Sequence, residues 1–321
     1  MKIRMVSVFI CAASLGLSNG RVSMIPKVSG LPAPHPYALS ADGKTVVGQF
    51  APGNPFTWRG GETAKFRPSS NANILDQYAQ SSSANGSTIV GKAGGAYIWT
   101  KGKGIKTIGS GSTFAYGVSE DGSRVACQDE GNKVRKGYIW SEAGTINIEQ
   151  FAPTCLSGDG KVAAGIRADH GSIRAFYFHN QVAEELQVPD EYSDSTAYAV
   201  NKDGTSIVGN AFSSNGTFAA LWRNGKFVKL ENLGQQEAVA KSVTRDGSYI
   251  GGYAGSEAVI WSPDGKASYL EMILKQAGAK TSGWKFESVN GIARVGQKIY
   301  VTGWAHLNGK EAGYYGSFTV G

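Results

Sequence analysis

The residues able to do chemistry are few, and their spacing argues against most catalytic designs. Four histidines, His35, His170, His179 and His306, stand apart from one another; none forms HExxH or another two-ligand spacing, and there is no CxxC. No zinc or other metal site is expected from such a set. No G-x-S-x-G elbow and no glycine-rich loop opens a helix, so neither a nucleophile nor a cofactor cradle is indicated, and no cofactor is expected. Carboxylates instead recur at one kind of place: Asp42, Asp121, Asp159, Asp203 and Asp246 each immediately precede a glycine. Repetition at one turn position points to capping of the turn's own amides, whereas general acid–base work needs a pair in one cleft. Cys127 lies five residues after one such glycine and Cys155 five before the next. Two readings stay open for them, a disulfide between neighbouring units of an exported chain or two buried thiols.

The elements that would position these residues come from a repeat. "ADGKTVVGQF" at Ala41 returns as "ANGSTIVGKA", "EDGSRVACQD", "GDGKVAAGIR", "KDGTSIVGNA" and "RDGSYIGGYA". An Asp-Gly or Asn-Gly pair before a β-branched run signals a hairpin, because the two-residue turn needs positive φ. The turn glycines are Gly43, Gly86, Gly122, Gly160, Gly204 and Gly247, with a degenerate seventh at Gly296, spaced by 36 to 49 residues. A β-type run with an aromatic follows each turn, at Trp58, Trp99, Trp140, Phe178, Trp222, Trp261 and Tyr315, and a second turn and short strand come after most of them. Four antiparallel strands per roughly 40 residues describe a propeller blade. The fold class is therefore all-β, a seven-bladed β-propeller of four-stranded antiparallel blades.

The chain stops after the third strand of unit seven, at "EAGYYGSFTVG", and a strand-like segment, "RVSMIPKVSGL", precedes unit one. A strand from about Ser23 to Ser29 is expected to complete the last blade, closing the ring and removing an exposed edge. An insertion between units six and seven, "YLEMILKQAGAKTSGWKFESVNGI", is expected to hold a short helix over Glu271 to Ala277 and to pack Trp284 on the last blade.

Residues 1–20 combine Lys2 and Arg4 with an apolar run from Met5 to Leu17 and a small-x-small end, the pattern of a signal peptide. Residues 21–321 then form a single propeller domain. Cys11 falls in the leader. The run is too short to span a bilayer and no later segment approaches the needed length, so no membrane span is expected. With 44 glycines and only 18% charged residues the rest is ample for one large β domain. Net charge is +7, or +5 once Lys2 and Arg4 are discounted, and it is spread thinly; nucleic acid is not an expected partner. A secreted, periplasmic or cell-surface monomer fits this reading.

The cores "SADGKTVVG" and "NKDGTSIVG", the run "EAVIWSPDGK" and the closing "SGWKFESVNGI…VTGWAHLNGKEAGYYGSF" make the chain resemble the HAF-type extracellular repeat proteins, found mainly in bacteria. That resemblance spans residues 22 to 321 and implies a secreted or surface propeller without assigning chemistry. Cys127, Cys155 and "AFYF" depart from its pattern. TolB-like propellers use a related S-x-D-G core, an analogy of architecture. Sialidase boxes differ in having Asp and Gly apart.

Function is expected on the rim carrying the turns between second and third strands, where the repeat varies. The candidate binding residues are Gln49, Lys92, Lys133, Arg135, Arg167, His170, Asn210, Tyr253, Trp304 and His306. They mix cations, amides and aromatics able to hold a protein or glycan ligand by stacking and hydrogen bonding. A non-enzymatic binding or adhesion module is the leading reading; a polysaccharide hydrolase or lyase and a structural ectodomain are the alternatives. Carboxylates converging at the central channel would favour the enzyme.

Overall fold

The recurring aspartate closes a hydrogen-bonded box that makes each hairpin. In the first, the Ser40 hydroxyl donates to Asp42 Oδ1 at 2.6 Å, Lys44 N donates to the same oxygen at 3.0 Å, and Thr45 N donates back to Ser40 Oγ at 2.9 Å. The box returns at Ser119/Asp121, Ser157/Asp159 and Thr244/Asp246, and Asn85 serves in the second unit. Gly43, Gly86, Gly122, Gly160, Gly204 and Gly247 turn the chain at φ between +69° and +80°, a region glycine enters without strain.

A computed structural model describes residues 16–51, 53–65, 77–131, 136–169 and 171–321. These hairpins assemble into seven separate four-stranded antiparallel sheets, the blades of a closed propeller. The innermost strands are Pro34–Leu39, Gln77–Ser82, Thr113–Val118, Ala152–Leu156, Asp194–Val200, Ala238–Val243 and Trp284–Val295. In blades 1 to 6 the chain runs from the inside outwards, so strand order equals sequence order.

The glycine ending the "VVG" motif has a packing cause. A Cβ on Gly48, Gly91, Gly165, Gly209, Gly252 or Gly303 would collide with a carbonyl oxygen of the neighbouring innermost strand, that of His35, Tyr78, Ala152, Thr196, Val239 or Ser288. Blade 3 places Cys127 at this register, opposite Ala115. Cys127 and Cys155 are both buried free thiols: Cys155 Sγ lies 3.5 Å from Ala164 O, and burial pushes each thiol up to about 12.

Blades pack through large aromatics on their third strands. Trp222 and Trp261 are almost fully buried, each contributing roughly 3 kcal/mol through burial. Their indole N–H groups donate to Gln187 O (3.0 Å) and Glu231 O (2.7 Å), carbonyls just past the outer strand of the preceding blade. The seventh aromatic is not Tyr315 as the spacing suggested. Register puts Gly316 opposite Val301, where blade 1 pairs Trp58 with Val46, so the aromatic position is a glycine. The helix Leu270–Gln276 compensates: Leu274 Cδ2 stands 3.8 Å from where a Gly316 Cβ would sit. Tyr315 points the other way, its ring tilted against Trp58 at 4.4 Å and its hydroxyl donating to Gly43 O. Trp284 lies parallel to Phe286 at 5.3 Å and edge-on to Tyr314.

Ring closure follows the expected topology with a different segment. The closing strand is Ser18–Met24, paired antiparallel with Lys310–Thr319, five residues earlier than expected. Pro26 cannot donate to a ladder, so pairing ends before it. Upstream, Gly20 N donates to Ala277 O at 2.7 Å, and a Cβ at Gly20 would meet the Ala277 Cβ at 2.8 Å. The first three residues of this strand lie within the stretch read as a leader.

Candidate functional site: the central channel

Every innermost strand carries a β-bulge at the same place. The register skips one residue between Pro36 and Ala38, Ala79 and Ser81, Ala115 and Gly117, Pro153 and Cys155, Ala197 and Ala199, Ala240 and Ser242, and Val289 and Gly291. The skipped residues are Tyr37, Gln80, Tyr116, Thr154, Tyr198, Lys241 and Asn290, each six positions before its turn glycine. A bulge re-aims one side chain while the strand continues. Here it turns seven side chains into the channel, where all seven line a cavity of about 570 Å³. Each is half-buried, whereas the residue before it is buried.

Around the ring, tyrosine alternates with a smaller polar group through blades 1 to 5, and Lys241 and Asn290 follow. The Thr154 hydroxyl donates to Ala197 O at 2.6 Å, and Asn290 Nδ2 donates to Pro36 O at 2.9 Å, tying neighbouring blades. Leu39, Leu156, Val200, Val243 and Ile292 line this channel cavity and also a second one of about 150 Å³. That lower space is bridged by Arg245 of blade 6, whose guanidinium donates two hydrogen bonds, of 2.7 and 2.8 Å, to Glu120 of blade 3.

Among the described residues no aspartate or glutamate lines the upper cavity, and Lys241 is the one cation that does. Lys241 Nζ lies 4.2 Å from the centre of Tyr198 and 6.0 Å from that of Tyr253. It makes no ion pair among the described residues. Burial pulls Lys241 below the ordinary lysine range, with Glu237 opposing. Burial also pushes Tyr37 up to about 12; the neighbouring Tyr78 adds to this and the hydrogen bond from Gln49 opposes it.

The rim residues chosen from sequence are divided by the structure. Gln49 Nε2 donates to Tyr37 Oη and so joins the channel ring. Tyr253 does too, through Lys241, while its hydroxyl donates to Glu237 at 2.8 Å. Lys92 Nζ lies 4.1 Å above Phe114, which stacks on Tyr116. Asn210 is half-buried at the register of Gln49; Gln49 Oε1 and Asn210 Oδ1 are buried without a hydrogen-bond partner among the described residues. Trp304 stacks on His35 at 3.9 Å between the last and first blades. Its neighbour His306 brings Nδ1 to 3.0 Å from Glu287 Oε1, a short contact not aligned as a hydrogen bond. Arg167 is engaged within blade 4, donating to Gln150 Oε1 and lying 5.5 Å over Phe176. Lys133, Arg135 and His170 lie outside the described residues.

The channel ring itself was missed by sequence reading. Its signal was present: one position in an Ala/Val-rich strand varies as Tyr, Gln, Tyr, Thr, Tyr, Lys, Asn while its neighbours repeat. Among the described residues no three His, Cys, Asp or Glu side chains converge as a metal site requires, and no helix is long and apolar enough to cross a membrane.

No family model matches the chain, and no curated protein matches it. Among solved structures, the hydrazine synthase of Kuenenia stuttgartiensis aligns with a TM-score of 0.55 at 13% identity, covering 86% of this chain and 96% of that one. TolB from Acinetobacter baumannii gives 0.45 at 12% identity, over 86% and 78% of the two chains. A putative TolB from Agrobacterium tumefaciens gives 0.48 at 14%, over 78% and 95%. At these identities the likeness is one of fold alone: the chain is a seven-bladed β-propeller.

Proposed function

We propose that this protein is a secreted, non-enzymatic binding module of the HAF-repeat type, taking a glycan or protein ligand at the channel mouth. The observation that carries this reading is the sevenfold bulge, which turns the one variable residue of each innermost strand into a shared cavity. A cavity of this size lies within the range of ligand pockets, and aromatic faces beside amides and one cation suit recognition. General acid–base hydrolysis would call for paired carboxylates, and among the described residues the lining of the upper cavity has none, which favours binding over hydrolysis. Compared with the rim reading, the ligand contacts move inward, from Arg167 and its neighbours to Tyr37, Tyr116, Tyr198 and Lys241.

The test is a glycan-array profile of wild type, a variant with Tyr37, Tyr116 and Tyr198 changed to Ala, and a rim variant, Arg167→Ala. Loss of at least tenfold in signal is expected only in the tyrosine variant, with both variants keeping the wild-type β-sheet circular dichroism. Signal that survives the tyrosine changes but falls in Arg167→Ala would return the site to the outer rim.

A further inference from the structure

The channel contains a cation without an ion pair among the described residues. Lys241 reaches the cavity on a bulge, half-buried beside two tyrosine rings, with Glu237 acting on it from beyond ion-pair distance and no carboxylate within that distance among the described residues. Glu237 accepts from Tyr253, and Glu130 accepts from Tyr116 and Gln128, and neither carboxylate forms an ion pair with Lys241. Taking a cation out of water without pairing it is unfavourable, and a tyrosine face returns only part of what hydration supplied. A ligand that brings an anion to this point would gain the full charge-assisted contact.

We propose that the ligand of the channel is an acidic sugar, a hexuronate residue whose carboxylate pairs with Lys241 Nζ. This rests on the channel being the binding site and names the chemistry it recognises. Tyrosines from blades 1, 3 and 5 line the cavity, and aromatic rings are the surface on which the apolar C–H side of a pyranose packs. Gln80 and Asn290, from blades 2 and 7, line the same cavity as partners for hydroxyl groups, Asn290 through its Oδ1, since its Nδ2 is held by Pro36 O. The cavity measures about 570 Å³ and is floored by the apolar residues Leu39, Leu156, Val200, Val243 and Ile292, which it shares with the second cavity. An extended acidic peptide needs partners along its length and a pocket for alternate side chains, which a ring at one level does not provide.

Isothermal titration of the full chain with tri-galacturonate, its methyl ester and a penta-glutamate peptide tests this, using wild type, Lys241→Met and the triple tyrosine variant. Tri-galacturonate is expected to bind wild type at least tenfold more tightly than the ester, and Lys241→Met to lose at least tenfold for the acid while leaving ester binding within threefold. Should Lys241→Met not fold, the acid-versus-ester comparison on wild type decides alone. Equal binding of acid and ester, with binding lost in the tyrosine variant, overturns the acidic-sugar inference and leaves the channel reading standing. Binding of the peptide in place of the uronate, or of neither probe, also overturns the inference. Uronate binding that survives both the Lys241 and tyrosine changes removes the channel reading as well.

Discussion

Asp246 shows what the recurring turn carboxylate contributes. Burial raises its pKa, but hydrogen bonds from Ser248 and Thr244 and the Arg294 guanidinium 2.9 Å away outweigh that, leaving it at about 2. Asp121 and Asp203 are also lowered, chiefly by the hydroxyls of Ser119 and Thr205. A carboxyl whose folded pKa lies below its unfolded value of about 3.9 stabilises the fold fully above that value and loses the contribution as pH falls towards the folded pKa. The urea midpoint of wild type should therefore drop between about pH 4 and pH 2, and Asp246→Asn should flatten part of that slope. An unchanged slope would mean that the turn carboxylate acts no differently from a neutral amide. At this scale the sequence was legible where one residue type recurs at one turn. It was opaque at the channel ring, because a bulge redirects a side chain that simple alternation would assign to a blade face.

At the scale of the strand, closure is the feature most open to test. Ser18–Met24 covers the edge of Lys310–Thr319, and without it that strand would present unpaired backbone groups to solvent. A chain beginning at residue 25 should show a lower urea midpoint and concentration-dependent association in light scattering. A monomer of wild-type stability would instead show the clasp to be dispensable. The need for a closing strand could be read from a last unit lacking its fourth strand; its position could not. The end of pairing depends on Pro26 and its start on the fit of Gly20 against Ala277, a tertiary contact with the inserted helix segment. The same insertion explains why counting to the next aromatic failed in the last blade: Leu274 fills the space beside Gly316, so the strand no longer requires a tryptophan there.

For the molecule as a whole, seven hairpins build a ring whose blades share the bulge and, in all but blade 3, the close-packed glycine, while the residue sent to the axis varies around the ring. Sameness at the turns gives a closed scaffold, and difference at one position gives a surface that seven identical blades could not present. Glu120 and Arg245 span the ring below that surface, joining blades 3 and 6. The central claim, that ligand enters the channel, is tested most directly by a crystal structure of the protein soaked with its strongest glycan-array hit. Density in the cavity, against Tyr37, Tyr116, Tyr198 and Lys241, is the predicted result. Ligand on the outer blades or beside Arg167, with the channel holding only solvent, would contradict it.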